Sequence, residues 1–577
     1  MAKEEPIVFT RRASGLVREI GLFTAIAIPL THTIGGGINK LLILASYENP
    51  GANVPLAYIM AGLPVLMTAI AYTLLAVSMP RTGGDYIYIS RGVSPVLGFL
   101  TSWGFWFTEI MSLGIIAYYD VDFWGLGFRI ANEAVGGDSA RMARMAEVLK
   151  EGTPTCFWVA VLIVIVSAIV TLLGARIYGA IINIGLVVGV VGSVVMILYF
   201  LMRSPADAPT LWNQTYGGYD EIVALAKEAG WEKVGFSAGA TGGAAIGAVW
   251  AYIGFTAAAY MGGEIKNPSK GMVWSITISA VLIIAYYAFV GLMVYRAFGD
   301  FIPQYAYCAN EVPEKLGEIV PNFPSPLLPT FAAALAPGQH ILQIVMAVSA
   351  AIWLLNDIPA FFLVCSRLVF SWSFDRFFPE WVAEVNDRFH SPHYAILLTT
   401  IGGLVGVYIC SQGAWTAAME TTMLYIFAVM FGCLAAAITP YVRREVYDRS
   451  IKWEIPGAPG LVIVSIIFLI IVALAVGYGG FWGIFMTFLG VIWLIAGLWM
   501  LSKGIETHVP LMTIAGVAGV GSNFYLLFVA GAALPPKDLA YASVWITAGL
   551  VIFLGFYAYN IRRGVDVKTI YAEIPPA

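Results

Sequence analysis

Two long apolar segments of this chain are broken by glycine near their middles. The first passes through Thr31-His-Thr-Ile-Gly-Gly-Gly-Ile38; the second runs from Trp250, breaks at Gly254 and ends in the polar tail Glu264-Ile-Lys-Asn-Pro268. In hydrocarbon every backbone N–H and C=O must find a partner, so unwound backbone persists only where it is buried in protein or lines a cavity. Two such interruptions, far apart in one chain, are the pattern of a transporter built from inverted repeats around a midplane site.

The rest of the chain supports a bilayer setting. Of 577 residues 59% are hydrophobic and 11% charged, too little polar surface to close a soluble globule. The net charge of -4 gives no basis for a nucleic-acid partner, so the lipid bilayer is the expected surrounding. At about 20 apolar residues per crossing, about fourteen spans are predicted. They fall near 21–46, 54–78, 94–119, 154–173, 177–202, 241–264, 272–296, 339–366, 393–411, 414–440, 460–479, 481–502, 510–532 and 541–561. An even count puts both termini on one side, where Arg81, Arg91, Arg176, Lys266, Lys270, Arg443, Arg444 and Arg562 also fall. The expectation is a multi-pass protein of the cell membrane with both termini cytoplasmic. Lys3, Arg11, Arg12 and Arg18 are not followed by a short apolar core with a small-residue cleavage site, so no removable signal peptide is expected. Asp138 to Lys150, with Met142, Met145 and Leu149 at helical spacing, reads as a short amphipathic helix over the outer face. The five cysteines lack the spacing of a zinc or redox motif; Cys156 and Cys308 are the pair both placed near the outer face.

Unwinding at Gly35, Gly36 and Gly37 leaves a half-helix from Ile38 onward, whose free N–H groups and positive dipole end suit a carboxylate. Close helix packing accounts for the glycines equally well when they are taken alone. At the second break Gly254 lies among Trp250, Tyr252 and Phe255 and precedes the small residues Thr256 to Ala259. Carbonyls freed there suit an ammonium, and the aromatics either cover the ligand or pack in the core. Ionisable groups inside spans are functional hypotheses by default. Asp357 follows Asn356, with Ser349 and Trp353 one to two turns before them; it either binds a cation or proton or partners His32. His32 itself is either a titrating group or a packing histidine. Glu109 meets Lys40, a substrate amine or a neighbouring helix.

These residues resemble the amino acid-polyamine-organocation family of transporters over roughly residues 12–445. The glycine run is similar to that family's first-helix motif, and Trp250-Ala-Tyr-Ile-Gly-Phe255 with Glu264-Ile-Lys-Asn-Pro268 to its sixth-helix pattern. Pro80-Arg-Thr-Gly-Gly-Asp-Tyr86 resembles the loop after its second helix, and Ser366-Arg-Leu368 with Asp375-Arg-Phe-Phe-Pro379 the end of its eighth. The resemblance implies an all-α, polytopic, five-plus-five inverted-repeat core with broken first and sixth helices. The implied division is a cytoplasmic segment 1–20, repeats at 21–202 and 241–440, an extracellular loop 203–240 between them, and additional helices and tail at 441–577. It implies a substrate site of Thr33, Ile34, Gly35, Gly36, Gly37, Trp250, Ile253, Gly254, Phe255 and Thr256, with the three glycine amides on the substrate carboxylate. Two departures matter. Thr256 stands where some cationic amino acid exchangers of the family carry an acid, and the span 177–202 lacks the lysine that replaces sodium in some proton-coupled members. The coupling candidates are His32, Glu109, Ser349, Asn356 and Asp357. They serve either a proton or, through Ser349 and carbonyls of Ala25 to Pro29, a sodium ion. No organic cofactor, metal-binding His pair or catalytic nucleophile is expected, so the chain is not read as an enzyme. The implied function is secondary active transport of amino acids by alternating access, neutral ones first. The alternatives are a polyamine permease, an exchanger and, more distantly, an amino acid sensor. Oligomeric state stays open.

Overall fold

The computed structural model describes residues 14–575 except 138, 414–415, 457–458, 504–507, 534–535 and most of 461–479. The first apolar segment forms α1 (Leu22–Thr33), a π turn at Gly37–Leu41 and α2 (Leu42–Glu48). It is followed by α3 (Val54–Ser78), α4 (Asp85–Gly92), α5 (Pro95–Ala134), α6 (Ala140–Val148), α7 (Pro154–Leu172) and α8 (Ala175–Met202). After surface helices the second broken segment gives α9 (Ala238–Ala251) and α10 (Ala257–Tyr260). Then come α11 (Pro268–Phe298), α12 (His340–Phe374), α13 (His393–Ser411) and α14 (Thr416–Val442). The C-terminal part adds α15 (Gly480–Ser502), α16 (Leu511–Ala533) and α17 (Pro536–Arg562). A short antiparallel pair, β1 (Glu454–Pro456) with β2 (His508–Pro510), is the one exception to the helical pattern among the described residues.

Nine helices among the described residues are long and apolar enough to cross a bilayer unbroken, fewer than the sequence count. The reasons are specific. Spans 21–46 and 241–264 are the two broken segments, and span 460–479 lies almost wholly outside the described residues. Spans 481–502 and 510–532 form α15 and α16, each 23 residues long, but their side chains lie partly outside the described residues, which leaves Gly490–Trp499 and Leu511–Leu527 as their described apolar stretches. The third span also extends well past its predicted end at 119, because Asp120 and Asp122 are buried rather than solvated and the helix runs on to Ala134.

The core lies where α5 and α12 pack along each other, with α1, α8 and α13 against them. The helices α7 and α8 turn Trp158, Leu162, Ile184, Val187 and Val191 outward, a surface suited to lipid tails. The predicted amphipathic helix is present as α6, with Met142 and Met145 half-buried. All five cysteines are free; the Cys156 and Cys308 thiols face the carbonyls of Tyr118 and Ile222 rather than each other. α16 packs on α14 and α3, and α17 on α5 through Trp545 stacked against Trp103. Both described chain ends meet on one face: Ile20 pairs with the Glu264–Lys266 backbone, and Arg81 Nε donates to the Pro575 carbonyl. This is called the terminal face below.

Candidate functional site

The first break is a change of ladder. The Ile34 N–H closes α1 on Leu30 O, and the next backbone bond of the segment is Asn39 N–H to Gly35 O. The amides in between, from Gly35 to Ile38, form the first turn of a new helix, the donors that a helix N-terminus cannot use internally. The second break is a tight turn: Tyr252 N–H donates to Val249 O, Ile253 N–H to Trp250 O and Ala257 N–H to Gly254 O. Gly254 sits at φ +111°, and a Cβ there would lie 2.4 Å from His32 O, so the two broken segments touch backbone to backbone at this point.

Side chains from neighbouring helices and from the segment itself satisfy the carbonyls that unwinding frees. Tyr58 donates to Gly37 O at 2.8 Å, and the Asn39 amide donates to Gly35 O at 2.9 Å. The Tyr287 hydroxyl of α11 lies between Thr33 O (2.5 Å) and Ala251 O (2.9 Å), one carbonyl from each broken segment. A hydroxyl carries one proton, so one of these two carbonyls always retains capacity for another donor.

A cavity of about 20 Å³ lies between the breaks, lined by His32, Thr33, Gly36, Gly37, Ser112, Ile116, Trp250, Ala251, Ile253, Asp357 and Phe361. That is room for about one water, so a larger ligand enters only by displacing side chains. Trp250 Nε1 donates to Ser112 Oγ at 3.2 Å and spans the cavity from α9 to α5. At its base His32 bridges two carboxylates: Nδ1 is 2.7 Å from Asp357 Oδ1 and Nε2 3.0 Å from Glu109 Oε2. All three residues are buried, and Phe361 packs edge-on to the imidazole at 4.4 Å.

The two ends of the site differ. Towards the terminal face, Arg367 Nε and Nη2 donate to the two Glu264 oxygens at 2.9 Å each, while Arg91 forks onto Asp375 at 2.5 and 2.9 Å. Tyr86 adds a bond to Asp375 at 2.8 Å, and Ser371 donates to Thr82 O at 2.9 Å. Both ion pairs are buried. On the opposite side, one turn beyond Gly37, Lys40 lies 3.7 Å over the Tyr119 ring and pairs with Glu151. It borders a cavity of about 400 Å³ that Tyr47, Glu48 and Tyr118 also line.

Of the residues expected from sequence, His32, Thr33, Gly36, Gly37, Trp250, Ile253 and Asp357 line the small cavity. Gly35 packs against Asp357, and Glu109 reaches the cavity through His32. Ile34, Gly254, Phe255 and Thr256 are buried in the links between half-helices and do not line it. Ser349 and Asn356 face α8, donating to Gly189 O at 2.9 Å and Ile182 O at 3.0 Å. Glu109 pairs with His32 and not with Lys40, which Glu151 takes. Ser112, Ile116 and Phe361 were not anticipated. Helical spacing carries the signal for them: Ser112 and Ile116 follow Glu109 by three and seven residues, and Phe361 follows Asp357 by four. Tyr287, whose importance depends on two distant carbonyls, has no comparable local signal.

The family model described as amino acid permease matches residues 20–495. An uncharacterized transporter of Mycobacterium tuberculosis is 25% identical over 391 residues, 68% of this chain and 73% of that protein. The serine/threonine exchanger of Bacillus subtilis is 22% identical over 456 residues, 78% of this chain and 90% of its own length. The arginine/agmatine antiporter of Chlamydia trachomatis is 23% identical over 415 residues, covering 70% and 74%.

Proposed function

The chain belongs to the amino acid permease family, and on that premise we propose that this amino acid transporter prefers small neutral α-amino acids and couples their movement to a proton. The observation that carries the reading is the cavity between the breaks. It has helix N-terminal amides on one side and a carbonyl sharing one hydroxyl proton on the other, the complement of a carboxylate and an ammonium on one carbon. The small volume and the lining of Ile116, Ala251, Ile253 and Phe361 favour a short apolar side chain. Asp357, the carboxylate that lines the cavity, is engaged by His32, which argues against a dibasic substrate.

A proton is favoured over sodium because His32 joins two carboxylates across α1, α5 and α12 beside the cradle, whereas the Ser349 hydroxyl is donated to α8. Arg81, Arg91, Arg443 and Arg562 support a cytoplasmic terminal face. In that orientation the closed ion pairs seal the inside and the larger cavity faces out, so the arrangement corresponds to an outward-leaning, nearly occluded step of alternating access. Exchange is the second reading, favoured by the exchanger and antiporter among the relatives.

The test is uptake by purified protein in liposomes, with pH and sodium gradients imposed separately and L-alanine, L-serine, L-threonine, L-arginine and putrescine as labelled probes. Accumulation of L-alanine or L-serine under the pH gradient alone is expected. Preference for L-arginine or putrescine overturns the substrate class, a requirement for sodium overturns the coupling ion, and uptake confined to preloaded vesicles makes the protein an exchanger.

A further inference from the structure

A second polar cluster lies between the candidate cavity and the terminal face, and substrate binding leaves it unused. Asp85 opens α4 directly after the Pro80–Gly84 loop, outside the membrane-crossing helices, and is fully buried. Its Oδ1 accepts the Tyr86 amide at 2.7 Å, while Oδ2 has no hydrogen-bond partner. The same holds for Glu109 Oε1 and for the hydroxyls of Tyr72, Tyr88 and Tyr260, all of them buried.

These five oxygens share one neighbourhood. A Cβ on Gly84, the residue before Asp85, would lie 2.7 Å from the Tyr260 ring; Tyr260 packs at 5.5 Å on Phe105, one turn before Glu109 on α5, and Tyr72 meets Tyr88 edge-on at 5.9 Å. The Tyr260 hydroxyl approaches the Asp85 carboxylate closely enough to favour its charged form without closing a hydrogen bond to it. Buried polar atoms are usually paired, so five oxygens without a protein partner around two carboxyl groups are free to pass a proton or to hold a bridging water.

Glu109 belongs to both clusters. One of its oxygens is without a hydrogen-bond partner, and its other oxygen holds His32 Nε2, while His32 Nδ1 holds Asp357 at the cavity. We propose that Asp85, Tyr260 and Glu109 form a proton path joining the terminal face to the His32–Asp357 pair, with Asp85 as the group that exchanges protons with the cytoplasmic side. The path rests on the proton-coupled reading above.

Each step is a proton transfer between oxygen or nitrogen atoms. The Asp85 carboxyl gives its proton to the Tyr260 oxygen as that hydroxyl gives its own to Glu109 Oε1, directly or through one bridging water. The Glu109 carboxyl then turns so that its proton lies on the oxygen facing His32 and gives it to Nε2 as Nδ1–H passes its proton to Asp357, which leaves His32 as the Nε2–H tautomer. One positive charge moves, Tyr260 ends as it began, and no redox partner is involved.

Asp85 suits its end of the path. Burial pushes its carboxyl up to about 7 despite the Tyr86 amide, which favours the charged form. It is faced by Tyr72 of α3, Tyr88 of α4, Glu109 of α5, Tyr260 of α10 and Tyr425 of α14. Arg91, further along α4, is held by Asp375 and is not available to fix Asp85 in its charged form.

The experiment uses the full chain in liposomes with a trapped pH dye and labelled L-alanine and L-serine. Net uptake driven by a pH gradient is compared with exchange into preloaded vesicles at equal pH, which moves no net proton. Asp85→Asn and Tyr260→Phe are expected to lower net uptake and the accompanying dye signal about 100-fold, with exchange held within about twofold of the parent. Tyr260→Phe removes a hydroxyl that has no partner, so folding is not at stake in that variant. Full gradient-driven uptake by both variants overturns the path, and a parallel loss of exchange assigns Asp85 to structure instead. Sodium-stimulated uptake in the parent that vanishes in Asp85→Asn also overturns it, by giving the oxygens to a metal cation. A second measurement needs no substrate: infrared spectra of the purified protein should contain a buried carboxylic acid band that titrates near pH 7 and is lost in Asp85→Asn. Spectra unchanged by the substitution overturn the path. If neither amino acid is carried by the parent, the substrate reading falls alone and the infrared titration still decides.

Discussion

Gly36 and Gly37 are adjacent, yet their surroundings give them different tolerances. A Cβ on Gly37 would lie 2.3 Å from Ala251 Cβ and 2.5 Å from Ala251 Cα, against backbone of the other broken segment. A Cβ on Gly36 would be crowded by the end of a flexible side chain, Ile116 Cδ1, at 2.8 Å, with the Trp250 ring at an ordinary contact distance of 3.8 Å. Gly37→Ala is therefore expected to destabilise the protein by about 3 kcal/mol, read as a lowered melting temperature in detergent. Gly36→Ala should melt within about 4 °C of the parent but lose the thermal shift produced by L-alanine; a retained shift would remove the amides from the carboxylate cradle. Asp85 supplies a pH dependence at the same scale. Its folded carboxyl sits near 7, above the ordinary 3.8, so the folded state holds the proton more tightly than the unfolded chain. Stability from this group is fully present below about pH 4 and declines by about 1.4 kcal/mol per unit as pH rises towards 7, where the decline levels off. Melting curves from pH 5 to 8 should show this slope in the parent and a flatter one in Asp85→Asn.

At the scale of elements, each broken segment depends on the other. α1 and α9 end at carbonyls that their own helices no longer satisfy, and one hydroxyl from α11, with a single proton to give, lies within reach of both. Removing it with Tyr287→Phe leaves buried acceptors unpaired at a cost of about 1–3 kcal/mol. A bound ammonium offers a replacement donor, so saturating L-alanine should raise the melting temperature of Tyr287→Phe by more than it raises the parent's. Equal shifts would place the ammonium elsewhere.

The whole molecule is closed at its terminal face by contacts between parts far apart in sequence. Glu264 lies just after α10 and Arg367 near the end of α12, and their paired oxygens and nitrogens tie the second broken segment to the core. Breaking a buried pair strands a charge and costs about 3–5 kcal/mol, a price relieved if this face opens to water. Glu264→Gln in a Thr82→Cys background should accordingly speed thiol labelling of position 82, where the parent side chain is only 9% exposed. A lower melting temperature with unchanged labelling would mean that the pair holds the fold and does not gate it.

Much of this organisation was legible because hydropathy and glycine placement act locally. An apolar run of bilayer length must become a helix, and glycine runs mark where that helix yields, so most spans, both breaks and the glycines that border the small cavity could be read from the chain alone. The four motifs were visible too, but as separate patterns; only the folded molecule joins Glu264 to Arg367 and Tyr86 to Asp375. Sequence also left His32, Glu109 and Asp357 with alternatives, since hydrogen bonds between residues separated by 77 and 325 positions have no periodic signature. Local sequence thus determined where the chain crosses and breaks. Tertiary packing decided which buried charges meet, because a buried charge is settled by its partner in space and not by its neighbours along the chain.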